Sequence, residues 1–290
     1  MNPDLKSQIE KIISEPIKSS SSVSGGCIAD SYKLLFESGK IYFLKHLSSF
    51  DSRTFDAEEH GLEELRKSGA VNVPDIVKKG SNFLLLQWIE ADNSSSNYSM
   101  EILGRQFAEL HRYRGKKYGF SKNNFLGYTP QINKPSQEGS FNWAQFYTEN
   151  RLEFQTSLAV KNGYASSEMR NLMDNLIKKV PNLISGTEEK PSLLHGDLWR
   201  GNYIIDNKGT PWLIDPAVYY GHREADLAMT SLFGGFSNAF YSAYKSSYPI
   251  SPGYAEREPL YQLYHLLNHL NLFGTGYYGQ VISVLRRYAG

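Results

Sequence analysis

The first ninety residues combine strand-like and helical patterns of apolar side chains. The strand pattern occurs in three runs, at residues 31–36, 40–47 and 81–89, with a Glu-Ser-Gly turn signal between the first two. Helical spacing predicts a short amphipathic helix over residues 4–13 and a longer helix over residues 52–67, which Gly69 ends. The serine run before Val23 predicts a flexible lead-in to the first strand.

The rest of the chain has mostly helical spacing. Apolar residues recur at helical intervals, with some drift in the second segment, at residues 103–110, 143–152, 168–180, 226–247 and 257–273. Between them, residues 195–215 predict a loop, a strand, a turn and a second strand. We therefore expect an α+β protein with a small β-rich lobe over residues 1–90 and a larger helical lobe over residues 91–290. Residues 90–97 have the composition of a linker or hinge.

The composition is that of an ordinary globular protein, with 40% hydrophobic and 21% charged residues in a chain of 290. A net charge of +1 gives no electrostatic reason to expect nucleic acid as a partner. No apolar run reaches the roughly 18 residues of a transmembrane helix, and the N-terminus lacks a signal-peptide pattern, so we expect no membrane partner. The single cysteine, Cys27, excludes an internal disulfide and is typical of a reducing cytosol, which predicts a cytoplasmic protein.

Glu58 is the first residue along the chain whose position indicates a functional site. The predicted helix over residues 52–67 has an apolar face that includes Phe55 and Leu62, and helical steps along this face pass through Glu58. A buried carboxylate needs a cation, and Lys45 in the strand before this helix is a candidate. Protein kinases hold the phosphates of ATP with such a strand lysine and helix glutamate. Alternatively, Glu58 lies at the rim of the apolar face and reaches water.

A glycine-bearing turn should then precede Lys45 and lie over the phosphates. Gly25 and Gly26 have that place in the sequence, and glycines let backbone amides approach a phosphate closely. The pair lacks the spacing of a glycine-rich kinase loop, so an ordinary turn explains it equally well.

The stretch LLHGDLWRGN, residues 193–202, lacks the apolar pattern of a core helix or strand, because charged, small and aromatic residues follow its two leucines. His195, Asp197 and Asn202 have the spacing of a kinase catalytic loop, with glycine in place of arginine at the second position. Downstream, Asp215 ends a predicted strand in the triplet Asp-Pro-Ala, where kinases carry a metal-binding aspartate. Each residue alone also fits a surface turn. Together with the lysine and glutamate upstream, they predict a magnesium-dependent phosphoryl-transfer site.

Two further polar residues lie on predicted helices. Asp226 enters a helix, where it either caps that helix or braces the catalytic loop through backbone amides. His111 falls on the apolar face of the helix over residues 103–110, which predicts a core histidine with satisfied hydrogen bonds. Only eleven positions separate Asp215 from Asp226, too few for the activation segment that binds a peptide substrate. The pattern therefore predicts a small acceptor.

Longer segments resemble the fructosamine-3-kinase (ketosamine-3-kinase) family over roughly residues 8–288. The similar segments are LLHGDLWRGN, LIDPAVYYGHREADLAM, FGGFSNAFYSAY, YQLYHLLNHLNLFGTGY, NNFLGYTPQIN, NWAQFYTENRLEFQ and SGGCI. The resemblance implies the bilobal protein-kinase-like fold of aminoglycoside and choline phosphotransferases, ATP and Mg²⁺ as cofactors, and phosphorylation of the 3-hydroxyl of a ketosamine. The product would then release its free amine, so the enzyme would act in protein deglycation.

Carried over position by position, the resemblance implies that Asp197 is the catalytic base and that Asn202 and Asp215 bind magnesium. Lys45 and Glu58 would be the pair that positions the phosphates of ATP.

The resemblance also assigns residues around the nucleotide and the acceptor. Gln87, Trp88 and Ile89 take the hinge position, where backbone groups would meet adenine. Trp199 would form a wall of the sugar pocket, although a core tryptophan fits the sequence equally well. Arg200 stands where family members often carry a small residue, and it would either bias the acceptor or pair with the larger lobe.

Cys27 is a candidate redox residue. It follows two glycines close to a predicted positive site, an environment that lowers a thiol pKa, although a small residue tucked under the loop is an equal interpretation. As the single cysteine, it can form a disulfide only between two chains. We expect a monomer, with a disulfide-linked dimer through Cys27 as its oxidised form.

Two other functions stay open. The first is a kinase of the aminoglycoside or choline type, against which Trp199 and the segments FGGF and NHLNLFGTGY argue. The second is a catalytically silent pseudokinase that acts as a binding module. It predicts the loss of residues equivalent to Lys45, Asp197, Asn202 or Asp215, and all four are present.

Overall fold

The structure is a computed structural model that describes residues 1–23, 29–47, 53–92, 96–135 and 142–290. Its strands are β1 (Ile17–Ser22), β2 (Asp30–Phe36), β3 (Ile41–His46), β4 (Ile76–Lys79), β5 (Phe83–Gln87), β6 (Asn124–Leu126), β7 (Thr129–Gln131), β8 (Ser192–Leu194), β9 (Tyr203–Ile205), β10 (Pro211–Leu213) and β11 (Tyr219–Gly221). Its α-helices are α1 (Pro3–Ile13), α2 (Arg53–Ser68), α3 (Asn97–Arg112), α4 (Trp143–Tyr147), α5 (Phe154–Lys161), α6 (Ser167–Leu183), α7 (Arg223–Leu232), α8 (Asn238–Ser247), α9 (Tyr254–Phe273) and α10 (Tyr278–Ala289). A π-helix, Thr148–Glu153, joins α4 to α5, and short 3₁₀ turns lie at Arg200–Asn202 and Thr275–Tyr277.

An antiparallel sheet in the order β1-β2-β3-β5-β4 occupies the N-terminal part of the chain. Alternate side chains of a strand point to opposite faces of the sheet, and this alternation decides where Lys45 lies. One face shares its core with α1, through Leu5, Ile9, Leu34, Phe36, Leu44, Phe83 and Leu85. The other face shares its core with α2, through Phe55, Leu62, Leu65, Leu84 and Leu86. Lys45 follows Leu44 on β3 and pairs with Leu84 of β5, so it lies on the α2 face.

Helices dominate the chain after the sheet, and they pack closely. α3 lies against α8, α7 against α9, and α6 against α10. Gly104 on α3 permits a short interhelical distance, because a Cβ atom there would lie 2.3 Å from the carbonyl oxygen of Phe240 on α8. None of the helices in the described ranges is both long and apolar enough to cross a membrane.

Two short antiparallel pairs place the predicted catalytic loop. β8 pairs with β11, and β9 pairs with β10, so residues 195–202 lie between the end of β8 and the start of β9. β10 ends two residues before Asp215. A third antiparallel pair is formed by β6 and β7, and β6 contacts α2. The segment just before this pair reaches β11 through a β-bridge between Gly119 and Tyr220.

The predicted α+β content and the three strand runs are confirmed, and several details differ. The serine run is not flexible: it is β1, whose backbone pairs with β2 while only Ile17 is buried. An edge strand is held by backbone hydrogen bonds and does not need apolar side chains, so the side-chain pattern of the serine run did not predict β1. The drift in the helical spacing of apolar residues after Trp143 corresponds to the π-helix Thr148–Glu153. The predicted helix over residues 226–247 is two helices, separated near Gly234 and Gly235, which both have positive φ. The sequence analysis did not predict α10 or the short strands β4, β6, β7, β8 and β11.

Candidate active site

Lys45 is the centre of a cluster of three charged groups, in which Lys45 and Glu58 are largely buried and Asp215 is partly exposed. Its Nζ lies 2.6 Å from Glu58 Oε1 and also contacts Asp215 Oδ1. Burial opposes a charged amine, but the two carboxylates outweigh it and raise the pKa of Lys45, so the ammonium stays protonated. The ion pair predicted from the apolar face of α2 is therefore present, and Glu58 does not reach outward to water.

Asp215 adopts an unusual backbone conformation that directs its side chain toward Lys45. Its φ of +55° is in the left-handed region, which costs a non-glycine residue about 1 kcal/mol. Bonds on both sides hold it there: the Ile214 N–H donates to Asn202 O at 3.0 Å, and the Ala217 N–H donates to His195 O at 2.9 Å. Strain of this kind occurs at functional sites, where the surrounding structure enforces it.

Asp197 and Asn202 contact each other within the predicted catalytic loop. Asn202 Nδ2 donates to the backbone oxygen of Asp197 at 2.8 Å and to its Oδ2 at 3.1 Å, which leaves Asn202 Oδ1 for another ligand. Burial raises the pKa of Asp197 well above its usual range, and the negative charge of Asp215 adds to this effect. Asp197 is thus a stronger base than an ordinary aspartate.

His195 and Gly196 fix the loop to the Asp215 segment. His195 Nε2 donates to the carbonyl oxygen of Ile214 at 3.0 Å, and burial lowers the pKa of His195, so its ring is neutral. Gly196 has a φ of +84°, and a Cβ atom on it would lie 2.1 Å from the Ala217 carbonyl oxygen. These two constraints explain why glycine stands where kinases carry arginine.

Asp226 braces the catalytic loop from the first turn of α7. Its carboxylate accepts hydrogen bonds from the backbone N–H groups of His195 at 2.7 Å and Gly196 at 2.8 Å, and from His111 Nε2 at 3.2 Å. Burial opposes its charge, but these donors lower the pKa of Asp226. His111 is fully buried, and its Nδ1 accepts from the Tyr244 hydroxyl at 2.8 Å. Of the two interpretations that the sequence left open for Asp226, these contacts support the loop brace. The predicted core histidine with satisfied hydrogen bonds is confirmed.

Trp199 belongs to a row of aromatic side chains beside the loop rather than to the core. Its ring is partly exposed, lies edge-on to Phe233 with 6.4 Å between centroids, and covers Gly201. The row continues from Phe233 to His269, at 4.7 Å, and on to Tyr277. The sequence pointed to the segments FGGF and NHLNLFGTGY, but it did not identify Phe233, His269 or Tyr277 individually. Their convergence on Trp199 depends on how α7 packs against α9.

Arg200 starts the 3₁₀ turn of the loop and is exposed. In the described parts of the chain it forms no hydrogen bond or ion pair, so the expected pairing with the larger lobe is not seen there. Arg200 is left as a charged group at the rim of the site.

The predicted hinge begins at Gln87, the last residue of β5, and continues through Trp88 and Ile89 just after it. The Gln87 N–H donates to Asp75 O at 2.8 Å, and the Trp88 ring lies under the Lys33 ammonium, 4.3 Å from its centroid. Ile89 is buried. Gly25, Gly26 and Cys27, by contrast, lie outside the described residues, so the phosphate loop and the redox and dimer hypotheses stay predictions.

The donor set fits a magnesium ion that a nucleotide helps to bind. Asn202 Oδ1 and the second oxygen of Asp215 are the available protein ligands, next to the Lys45 ammonium. Within the described ranges, no group of three or more His, Cys, Asp or Glu side chains forms a metal cage. Mg²⁺ needs no such cage, because one or two protein ligands, phosphate oxygens and water complete its shell.

The antiparallel sheet with its lysine–glutamate pair, and the aspartates on a loop and at a strand end, define a kinase-like phosphotransferase fold. The chain belongs to the fructosamine kinase family, because the family model for fructosamine kinase matches residues 1–289.

Curated relatives agree with the family model. The chain is 40% identical over 291 residues to a Synechocystis protein named a probable ketoamine kinase, covering 97% of this chain and 94% of the relative. It is 38% identical over 274 residues to the chloroplastic protein-ribulosamine 3-kinase of Arabidopsis thaliana, covering 92% and 81% of the two chains.

Solved structures have the same architecture. A Thermobifida fusca structure with a provisional fructosamine-3-kinase assignment superposes with a TM-score of 0.89 at 27% identity, over 99% of each chain. An aminoglycoside phosphotransferase, solved with streptomycin and ATP, superposes with a TM-score of 0.68 at 14% identity, over 99% of this chain and 96% of that one. The second likeness concerns the fold alone.

Proposed function

We propose that this protein is an ATP-dependent ketosamine 3-kinase, which transfers the γ-phosphoryl group of ATP to the 3-hydroxyl of a sugar attached to an amine. The observation that carries the proposal is the convergence of Asp197, Asn202 and Asp215 beside the Lys45–Glu58 pair. Membership of the fructosamine kinase family supplies the class of acceptor.

The charged residues have distinct roles in the transfer. Lys45, oriented by Glu58, would meet the phosphates of ATP, and Asn202 and Asp215 would hold Mg²⁺, which would neutralise charge on the phosphate oxygens. Asp197 orients the acceptor hydroxyl and accepts its proton as the new P–O bond forms and the bond to ADP breaks. Its raised pKa suits this role, because the base must hold the proton once it is transferred.

The aromatic row beside the loop supplies the acceptor pocket. Trp199 lies two residues after the proposed base, so one face of the sugar would rest against its ring. Arg200, exposed on the same loop, would meet a negative group on the acceptor or its carrier protein. The backbone at the end of β5, at Gln87, Trp88 and Ile89, would meet the adenine base.

The chemical consequence is repair of glycated amines. A ketosamine phosphorylated at the 3-hydroxyl is unstable and releases the free amine, so the reaction would return a glycated lysine to its unmodified form.

The proposal is tested by measuring ADP release with fructoselysine, ribuloselysine, choline and an aminoglycoside side by side, with Asp197→Ala as the blank. We expect turnover with one or both ketosamines and none above the blank with choline or the aminoglycoside. Turnover confined to choline or the aminoglycoside would replace the proposed acceptor class. No turnover with any acceptor, in a protein that still binds ATP, would favour a silent binding module.

A further inference from the structure

Three buried amide side chains lie behind the segment that carries Asp215. Asn124 and Gln131 belong to the β6–β7 pair, Asn133 follows it, and their exposed fractions are 5%, 1% and 0%. The three amides bond to one another: Gln131 Nε2 donates to Asn124 Oδ1 at 2.8 Å, and Asn133 Nδ2 donates to the same oxygen at 2.7 Å. They form one connected unit, the amide cluster.

The amide cluster holds the backbone immediately after Asp215. Gln131 Nε2 donates to the carbonyl oxygen of Ala217 at 2.9 Å, and Asn124 Nδ2 donates to that of Val218 at 2.7 Å. The N–H of the same Ala217 donates to His195 O in the catalytic loop. The peptide groups of Ala217 are thus clamped between the catalytic loop and Gln131, two residues beyond the strained backbone of Asp215.

Arg151 anchors the amide cluster from the π-helix. Its Nη2 donates to Asn133 Oδ1 at 2.8 Å and its Nη1 donates to Ile132 O at 2.5 Å, while the guanidinium lies 4.1 Å from the Tyr219 ring centroid. The side chain is fully buried, and across the described ranges it has no carboxylate partner. A buried cation without an anion is unfavourable for stability alone, and π-helical turns are frequent at functional sites.

We propose that Gln131 and Asn124, anchored by Arg151, are positioning residues for Asp215, and that this inference rests on the proposed function. The backbone before Asp215 is held by Asn202, and the backbone after it is held by the amide cluster. Without the Gln131 amide, the Ala217 carbonyl loses its donor and Asp215 is free to leave the left-handed conformation. The metal ligand would then be displaced, whereas Trp199 and the aromatic row, which take no part in the cluster's hydrogen bonds, would stay in place.

The test compares Gln131→Met with Gln262→Met. Gln262 is a half-buried glutamine on α9, and its Nε2 donates to the carbonyl oxygen of Ala228 at 3.3 Å and to Ser231 Oγ at 3.0 Å rather than to the Asp215 segment. Binding of Mn²⁺ to the protein–ADP complex is followed by the electron paramagnetic resonance signal of free Mn²⁺. We expect Gln131→Met to raise the Mn²⁺ dissociation constant about tenfold, as expected for the loss of one hydrogen bond, and Gln262→Met to leave it within about twofold.

Kinetic and stability measurements separate positioning from a purely structural role. Gln131→Met should lower kcat by a similar factor, with the acceptor KM within about twofold, while both variants lower the melting temperature. Tyr264→Phe is the milder variant, because it removes only the hydroxyl that donates to Gln131 Oε1 at 2.8 Å, and it should weaken Mn²⁺ binding in the same direction. Unchanged Mn²⁺ binding in both Gln131→Met and Tyr264→Phe would overturn the inference. Failure of the wild-type protein to turn over ketosamines would instead overturn the proposed function, since the Mn²⁺ titration needs no acceptor.

Discussion

The carboxylate of Asp226 binds the backbone of Gly196, with 2.8 Å between Oδ1 and the N–H nitrogen. Its other oxygen accepts from the N–H of His195, so one side chain from α7 satisfies two consecutive amides of the catalytic loop. A charged acceptor in a buried site makes stronger hydrogen bonds than a neutral one. The position of Asp197, the next residue, therefore depends on a carboxylate that is 29 residues away in the sequence.

Replacing Asp226 by asparagine should destabilise the protein by about 2–3 kcal/mol and lower kcat at least tenfold. The amide NH₂ group would face a backbone N–H, which leaves a donor unsatisfied in the core. Urea unfolding and steady-state kinetics measure the two effects. Asp174→Asn, the same change at an exposed position on α6, is the control. Wild-type kinetics in Asp226→Asn would mean that the brace is dispensable.

Replacing Asp197 by alanine should leave nucleotide binding within a few-fold of wild type and lower turnover by about two to four orders of magnitude. The proposed roles give the reason, since Asp197 would meet the acceptor hydroxyl, whereas Lys45, Asn202 and Asp215 would meet the nucleotide and metal. Calorimetric titration with ADP and Mg²⁺, together with ADP release in the presence of a ketosamine, checks both parts. Near-normal turnover would refute the role of Asp197 as the base.

Local patterns were sufficient to predict the charged centre of the site. The Lys45–Glu58 pair followed from strand alternation and helical periodicity, because both patterns fix the side-chain direction within a few residues. The contact between Asp197 and Asn202 followed from their spacing, which spans one short loop. The sequence left open whether Trp199 is a core residue, and the structure shows that its ring is partly exposed beside Phe233, a contact between distant parts of the chain that no local pattern predicts.

The supporting residues could not be predicted in the same way. Gln131 is 86 positions from Ala217, and Asn124 is 94 positions from Val218, so no local period links them. A buried Arg151 also contradicts the usual exposure of arginine, and only the drift in helical spacing around it indicated an irregular helix. The serine-rich β1 was missed for a related reason, since its backbone and not its side chains holds it in the sheet.

Gly196→Ala should abolish activity and destabilise the protein far more than the same change at Gly39. Both glycines have nearly equal positive φ, +84° and +86°, so the backbone strain of a Cβ atom is similar, about 1–2 kcal/mol. At Gly39 nothing lies within 4 Å of the added Cβ, whereas at Gly196 it would meet the Ala217 carbonyl oxygen at 2.1 Å. Thermal unfolding and kcat of the two variants isolate the cost of this clash. Equal losses in both would indicate that backbone strain alone decides the residue at this position.

His265 should make the protein less stable as the pH falls below neutrality. The side chain is 4% exposed and its Nδ1 has no partner in the described ranges. Burial, with the nearby His269 adding to it, lowers the pKa of His265 from 6.5 to about 3. Between those values the unfolded chain binds a proton that the folded protein excludes, so this contribution to stability is lost as the pH falls from 6.5 toward 3.

The variant His265→Leu removes this group while keeping an apolar side chain of similar volume, so it isolates the pH effect. The wild type should lose about 2 kcal/mol more than His265→Leu between pH 7 and pH 5, in urea unfolding at both pH values. Other histidines with lowered pKa, such as His111 and His195, are common to both proteins and cancel in the difference. Equal losses in the two proteins would mean that His265 becomes protonated without unfolding, through water that reaches its ring.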